Sequence, residues 1–191
     1  MSLSLMVSGA FSFTCLFSFL VSAAFVYMDV YGIAVDFVGY LFACNVIALM
    51  VLTTVNGRYV GRKGAPHMLR WGLQIQFVGG VLLVPSLFGF GGVAAVVIPC
   101  MIIIGATTMV GSNLMAKMLE RHQKIAGTAS SLVGSFRFGV GSLVGASSTM
   151  LPFSVQTNMV ATIVCSAAAS MVAYRYHRYL RRKLGNPPVS Y

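Results

Sequence analysis

The sequence predicts an all-α membrane protein with six transmembrane helices and both termini in the cytoplasm. Hydrophobic residues make up 58% of the chain and charged residues only 8%. A water-soluble domain normally carries about 25% charged residues, so most of this protein's surface must face lipid. The formal net charge of +10 does not indicate nucleic-acid binding, because the basic residues are clustered between apolar runs.

Six apolar segments are each close to the roughly 20 residues that a helix needs to cross the hydrocarbon. The connections between them are short, so successive helices should be antiparallel neighbours, and no hydrophilic linker divides the chain. We therefore expect one six-span bundle over residues 1–184 and a short cytoplasmic tail over residues 185–191. The predicted helices cover approximately residues 6–28, 37–56, 69–90, 93–117, 126–151 and 155–176.

The distribution of lysine and arginine predicts the orientation. Twelve of the thirteen basic residues lie after helices two, four and six, and the loops after helices one, three and five contain none. Cytoplasmic loops carry the excess of lysine and arginine in membrane proteins. Both termini are therefore predicted to be cytoplasmic. Arg137, in the middle of the fifth apolar segment, is the one exception.

The fifth segment, AGTASSLVGSFRFGVGSLVGASS, combines many small residues with this one charge. Small residues at helical spacing let a neighbouring helix approach closely, which predicts packing positions at Gly127, Gly134, Gly141 and Gly145. A charge at membrane depth costs roughly 2.5–3.5 kcal/mol on insertion scales, so Arg137 should face the bundle or a wet cavity. It is the strongest functional candidate, as a ligand for an anionic group, a partner for an acid or a neighbour that tunes a pKa. A structural bond to backbone carbonyls is the alternative.

Two further features are candidates for a role in transport or packing. Asn45 and Asn113 lie at membrane depth, where they can line a pathway or hydrogen-bond between helices. The segment NGRYVGRKG, residues 56–64, predicts a tight positive turn between helices two and three. Such a turn can clamp helix ends in one conformational state, and a plain cytoplasmic anchor is the alternative. Its candidate residues are Gly57, Arg58, Gly61, Arg62 and Lys63.

Enzymatic and metal chemistry are not indicated. Nucleophilic catalysis needs a base within hydrogen-bond reach of the nucleophile, but His67, His122 and His177 are all predicted in cytoplasmic loops or the tail. The sequence contains no phosphate-binding glycine loop, so an ATP-driven pump is not supported. The four cysteines form no CxxC or Cys/His cluster, and we predict neither a metal nor a cofactor.

Three stretches resemble major facilitator drug-efflux transporters of the Bcr/CflA type. FVYMDVYGIAVDFVGYLFA is similar to the end of that family's seventh span, and residues 39–64 resemble the eighth span with its basic loop. Residues 111–146, which include AGTASSL, resemble the end of the tenth span and the eleventh. The resemblance covers nearly the whole chain, but only the second half of the twelve-helix family.

The resemblance implies one six-helix half-bundle of a major facilitator fold in a bacterial inner membrane. It implies proton-coupled export of hydrophobic drug-like molecules by alternating access, with a second transporter half or a homodimer completing the cavity. By analogy helices one, two, four and five line that cavity, which makes Arg137, Asn45 and Asn113 the candidate pathway residues. The membrane acids linked to proton coupling belong to the family's first half. An accessory or truncated membrane protein that packs against a partner and does not transport alone is the alternative.

Overall fold

The structure, a computed structural model, describes residues 2–120 and 126–183. Within these ranges the chain is helical and has no β-strand. The first helix, α1, is continued by one π-helical turn, Val26–Val30, and the third is followed by a 3₁₀ turn, Val84–Phe88. The six helices are α1 Ser2–Phe25, α2 Val35–Lys63, α3 Ala65–Leu83, α4 Ala94–Leu119, α5 Ala126–Ser148 and α6 Val155–Lys183.

Five of the six described helices are long and apolar enough to cross a membrane. The exception is α5, whose 23 residues include eleven glycines and serines as well as Arg137. Its length of about 34 Å at 1.5 Å per residue still matches the hydrocarbon thickness, and it packs along the spanning helix α1. The described chain therefore forms a six-helix half-bundle.

The helices form two layers. One layer is a row in the order α2, α4, α1, α5, in which α1 and α4 lie at the centre. The second layer consists of α3, which packs on α4, and α6, which packs on α1. Each central helix thus contacts three or more neighbours, whereas α2 and α5 lie at the two ends of the row and have much of their surface uncovered.

Gln76 joins the two layers through hydrogen bonds. Its side chain is 1% exposed and donates to the Ser12 carbonyl of α1 at 2.9 Å and to Thr107 Oγ1 of α4 at 2.8 Å. Ser12 Oγ donates back to Gln76 Oε1 at 2.8 Å. Because no water reaches the bilayer core to replace these partners, the three polar side chains fix the relative positions of α1, α3 and α4.

Small residues allow the closest helix approaches. Ser8 of α1 and Ser170 of α6 each donate to the other's backbone carbonyl, at 2.9 and 2.6 Å. A Cβ atom at Gly79 of α3 would lie 2.8 Å from Ile103 Cγ1 of α4. A Cβ atom at Gly105 of α4 would overlap Leu52 of α2. These close contacts are the kind that drives helix association in lipid.

The prediction of a tight turn over residues 56–64 is wrong. Gly57, Arg58, Gly61, Arg62 and Lys63 all lie in the last two turns of α2. Glycine permits a turn but does not require one, and a helix satisfies its own backbone groups at the edge of the membrane. The reversal takes place at a single residue, Gly64, whose positive φ of 77° favours glycine. Pro66 follows in the first turn of α3, where its missing N–H costs nothing.

The sixth helix is longer than predicted, and His177 lies within it. This histidine is 1% exposed, and its Nδ1 atom is 3.0 Å from Ser4 Oγ of α1. The prediction of a tail position for His177 is therefore wrong, because contacts with α1 extend α6 beyond the apolar segment. The predicted loop residues Arg121, His122 and Lys124 and the predicted tail, 185–191, lie outside the described residues.

We predict that Gln76→Ala lowers the free energy of unfolding by about 1–2 kcal/mol, because it removes hydrogen bonds to two other helices. Thermal unfolding of the purified chain in detergent measures this change. Gln74→Ala is the matched control, since Gln74 is exposed on the same helix and its loss should change stability by less than about 0.5 kcal/mol. Equal destabilisation by both substitutions would contradict the role assigned to Gln76.

Candidate functional site

One broad side of the row α2–α4–α1–α5 is not covered by any helix of the described chain. On α4 this side carries Thr108, Ser112 and Ala116, which recur every four residues opposite the positions that contact α3. On α1 it carries Phe13 and Phe17, opposite the serines that contact α3 and α6. We call this surface the open face. Any site that a second bundle completes must lie on it.

Arg137 extends from α5 across the open face towards α4. Its Cζ atom lies 4.7 Å from the centroid of the Phe13 ring of α1, within the range of a cation–π contact. A Cβ atom at Gly111 of α4 would lie 2.8 Å from Arg137 Nη2 and 3.0 Å from Nη1. The guanidinium therefore occupies a notch that exists only because residue 111 has no side chain.

The Phe13 ring that contacts Arg137 belongs to a group of three phenylalanines in mutual edge-to-face contact. Ring centroids are 5.5 Å apart for Phe13 and Phe17, 4.9 Å for Phe13 and Phe138, and 5.9 Å for Phe17 and Phe138. Phe138 is 58% exposed on the open face. Sequence reasoning missed Phe13 and Phe17, because nothing in a run of apolar residues indicates which of them meets a charge on another helix.

The charge of Arg137 has no acidic partner within the described chain. No hydrogen bond or ion pair joins its guanidinium to another described residue, and its Nε atom is buried without an acceptor. The side chain as a whole is half-buried. A cation that is desolvated but unpaired costs free energy, so this guanidinium is ready to accept an anionic or carbonyl-bearing group.

The four glycines predicted to form one packing face of α5 do not behave alike. A Cβ atom at Gly141 would lie 2.9 Å from Phe17 Cδ2, and one at Gly145 would lie 3.2 Å from Phe17 Cβ. Among the described residues, no atom lies within 4 Å of that position at Gly127 or Gly134, so these two do not pack against a described helix and their packing role stays a prediction. The reason is that the contacting ridge follows a spacing of four residues. Its members are Val133, Arg137, Gly141 and Gly145.

The structure places Asn113 away from any open surface. Its side chain is 1% exposed and donates to Asn56 Oδ1 of α2 at 2.6 Å and to the Met109 carbonyl at 2.7 Å. Asn56 donates in turn to Ser112 Oγ at 3.3 Å. Asn113 therefore connects α4 to α2 by a hydrogen bond. Of this network, the Ser112 hydroxyl is the part that lies on the open face.

Asn45 is also buried, at 3% exposure, and donates to the Leu41 carbonyl of its own helix at 2.8 Å. Its Oδ1 atom and the hydroxyl of Tyr27 in the π-helical turn of α1 are both buried, and these two side chains interact with each other. Neither asparagine lies beside Arg137. The structure thus does not bring the three pathway candidates together, because helical spacing places both amides on the α2–α4 contact side.

The last turns of α2 have an uncovered glycine surface. Gly57 and Gly61 are one turn apart and exposed, and no atom of the described residues lies within 4 Å of the position a Cβ would take at either glycine. Lys63 Nζ lies 5.2 Å from the ring centroid of Trp71 on α3, which fixes the end of α2 to the start of α3. Arg58 and Arg62 are exposed beside these glycines.

Comparison with known proteins shows two to which the chain is similar. It is 34% identical over 174 residues to the bicyclomycin resistance protein homolog of Haemophilus influenzae, an alignment that covers 91% of this chain and 44% of that protein. The chain is similar to one part of major facilitator transporters, consistent with the Bcr/CflA type. It is also 27% identical over 128 residues to the uncharacterized MFS-type transporter YdgK of Bacillus subtilis, which covers 67% of this chain and 32% of that protein.

The chain spans less than half the length of the curated relatives that it matches. No solved structure matches it, and neither does any protein-family profile. The family and the apolar helices make it a multi-pass protein of the bacterial inner membrane. Major facilitator proteins bind substrate where their two bundles meet. The open face is the surface of this chain at which such a meeting could occur.

We predict that Gly111→Ala displaces the guanidinium of Arg137, because the new methyl group would overlap both Nη atoms. The long side chain can move, so the free energy of unfolding should change by less than about 1 kcal/mol. Arginine modification by phenylglyoxal, resolved by peptide mass spectrometry, should become several-fold faster at Arg137. Gly134→Ala, which meets open space, is the control and should leave the rate unchanged. An unaltered rate of Arg137 modification in Gly111→Ala would show that the guanidinium does not lie in a notch at residue 111.

Proposed function

We propose that this chain is one half of a drug-efflux transporter, which exports hydrophobic drug-like molecules by alternating access together with a second six-helix half. The observation that carries the proposal is the open face, on which a half-buried cation and three phenylalanines lie with no covering helix. Major facilitator transporters form their substrate site between two such bundles. The relative that matches 91% of this chain is named for drug resistance.

A second half is needed for a physical reason. A transport cavity needs two walls, and the described helices supply only one. The hydroxyls of Thr53 and Thr108, 3.2 Å apart, and of Ser112 lie on the open side of the α2–α4 contact. Polar side chains facing lipid are unfavourable, whereas they are normal on the wall of a wet cavity. The second half comes either from a separate chain or from another copy of this one.

The chemistry around Arg137 suits a specific kind of substrate. The phenylalanine rings offer apolar contact, and the guanidinium offers several N–H donors in a fixed planar arrangement. A compact, largely apolar molecule that carries carbonyl, hydroxyl or anionic groups matches both features. Bicyclomycin, the compound for which the Haemophilus relative is named, is the first one to test.

Proton coupling in this proposal depends on the second half. The three acidic residues of the sequence are Asp29, Asp36 and Glu120. All three are exposed, near the ends of the described helices. An acid that carries protons in exchange for substrate must lie within the membrane beside the pathway, so we assign that role to the missing bundle. Arg137 would then respond to the charge state of that acid across the cavity.

The orientation and the end of α2 complete the proposal. We propose that both termini are cytoplasmic, because the described lysines and arginines other than Arg137 lie at one end of the bundle and cytoplasmic ends carry the excess of these residues. At that end Gly57 and Gly61 form a flat surface bordered by Arg58 and Arg62. We propose that a helix of the second half docks there when the cytoplasmic side is closed. The proposed gating role therefore belongs to the end of helix α2 and not to a loop.

Co-expression tests the proposal. The chain is produced in a bacterial host without its own drug-efflux pumps, either alone or together with the first six-helix half of a Bcr/CflA-type relative. We expect bicyclomycin resistance to rise severalfold when a second half is present. Resistance from the chain alone would support a homodimer. The matched control is the relative's half without this chain.

The competing function is an accessory membrane protein that does not transport. A non-transporting partner would also fit the open face, because this surface needs only a helix packed against it and does not require a particular drug. If both halves insert at matched levels and form a complex, yet no tested compound is exported, the efflux proposal fails and the accessory function replaces it. Protein levels are measured by quantitative immunoblotting of the membrane fraction.

We predict that Arg137→Ala lowers the initial efflux rate in the assembled transporter about tenfold to hundredfold, the equivalent of a charged hydrogen bond of about 1.5–3 kcal/mol. Arg137→Lys keeps the charge but loses the planar array of donors, and it should give an intermediate rate. Efflux is measured in inverted membrane vesicles, with insertion level as the control. Unchanged efflux in Arg137→Ala at the same protein level would remove this residue from the pathway.

A further inference from the structure

A second polar site lies on the opposite side of the bundle from the open face. A shallow groove between α3 and α6 has a cavity volume of about 50 Å³ and is partly open to the outside. Its wall includes three arginines together with a glutamine, a tyrosine and two apolar side chains. The lining residues are Arg70, Leu73, Gln74, Met171, Tyr174, Arg175 and Arg178.

The arginines of this groove are not neutralised by the protein. Within the described ranges no hydrogen bond or ion pair engages Arg70, Arg175 or Arg178. Glu120 is the one acidic residue of the sequence predicted at this end of the bundle, and it lies at the end of α4, outside the lining of the groove. Three guanidinium groups converging on one cleft repel one another unless an anion lies between them.

The groove lies at the level of the membrane–water boundary. Arg70 is in the second turn of α3, next to Trp71, which is 49% exposed. Arg175 and Arg178 are in the last turns of α6, where Tyr176 and Tyr179 are also exposed. Exposed tryptophan and tyrosine side chains mark the headgroup region of a bilayer. Because α3 and α6 form the layer opposite the open face, the groove faces lipid and not the second half.

We propose that this groove binds the phosphate of an anionic phospholipid headgroup in the inner leaflet. Arginine side chains suit this ligand, because their planar donors bind phosphate oxygens in pairs. Basic pockets between transmembrane helices on the cytoplasmic side are a known arrangement for anionic lipid headgroups. Gln74 at the groove wall adds an amide that can donate to the headgroup. A lipid bound here crosslinks α3 to α6 non-covalently and is independent of transport.

The test uses the purified chain in detergent with phosphatidylglycerol as the probe. Native mass spectrometry counts the lipid molecules retained, and thermal unfolding measures stabilisation. The variant is Arg70→Gln/Arg175→Gln/Arg178→Gln. The control is Arg58→Gln/Arg62→Gln/Lys63→Gln, which removes the same charge from the same end of the bundle but outside the groove. Phosphatidylcholine and inorganic phosphate are tested in parallel on the unmodified chain.

We expect the unmodified chain and the control to retain phosphatidylglycerol, and the groove variant to lose it, by about fivefold in affinity for each arginine replaced. Equal loss of phosphatidylglycerol in both variants would mean that the lipid responds to the overall positive charge of this end of the bundle, and it would overturn the proposed groove site. On the unmodified chain, stabilisation by phosphatidylglycerol but not by phosphatidylcholine supports the proposal even if the groove variant fails to fold. Equal stabilisation by inorganic phosphate would assign the groove to a free anion and overturn the lipid.

Discussion

Packing around α1 is the constraint on which the rest of the bundle depends. This helix crosses the middle of the molecule, and two of its polar side chains, Ser8 and Ser12, are fully buried. In a bilayer core such groups cost several kcal/mol unless each one finds a protein partner. Ser8 hydrogen-bonds to Ser170 of α6, and Ser12 hydrogen-bonds to Gln76 of α3. Those bonds set the rotation of α1 and leave its phenylalanine side on the open face.

The environment of Arg137 follows from that rotation. Phe13 and Phe17 point away from the second layer, so α5 packs against them through Gly141 and Gly145. Arg137, one turn before Gly141, then lies over the Phe13 ring and reaches the notch at Gly111. The single charge of a helix rich in glycine and serine thus lies against an aromatic ring and in the space left by a missing side chain, without an acidic partner among the described residues. This arrangement leaves the guanidinium able to respond to whatever enters the cavity.

The basic residues at one end of the bundle serve two separate surfaces. Those near Gly57 and Gly61 border the uncovered end of α2, where a helix of another half can dock. Those between α3 and α6 converge in a groove that faces lipid. In the sequence both groups look alike, as cytoplasmic anchors. Their difference comes from which layer each helix occupies, because one layer carries the open face, where we propose that a second half binds, and the other layer lies on the opposite side of the bundle.

The sequence by itself determined the membrane class, the six helices and the family. Hydrocarbon thickness sets helix length, and hydropathy is a local property that needs no knowledge of neighbours. The site was only partly predictable. Arg137 was identified because a charge at membrane depth is rare, but helical spacing did not reveal whether Asn113 faces the cavity or α2. Only the tertiary structure decided this, because spacing defines which residues share a face and not which neighbour covers it. The same reason separates Gly141, which packs, from Gly134, which does not.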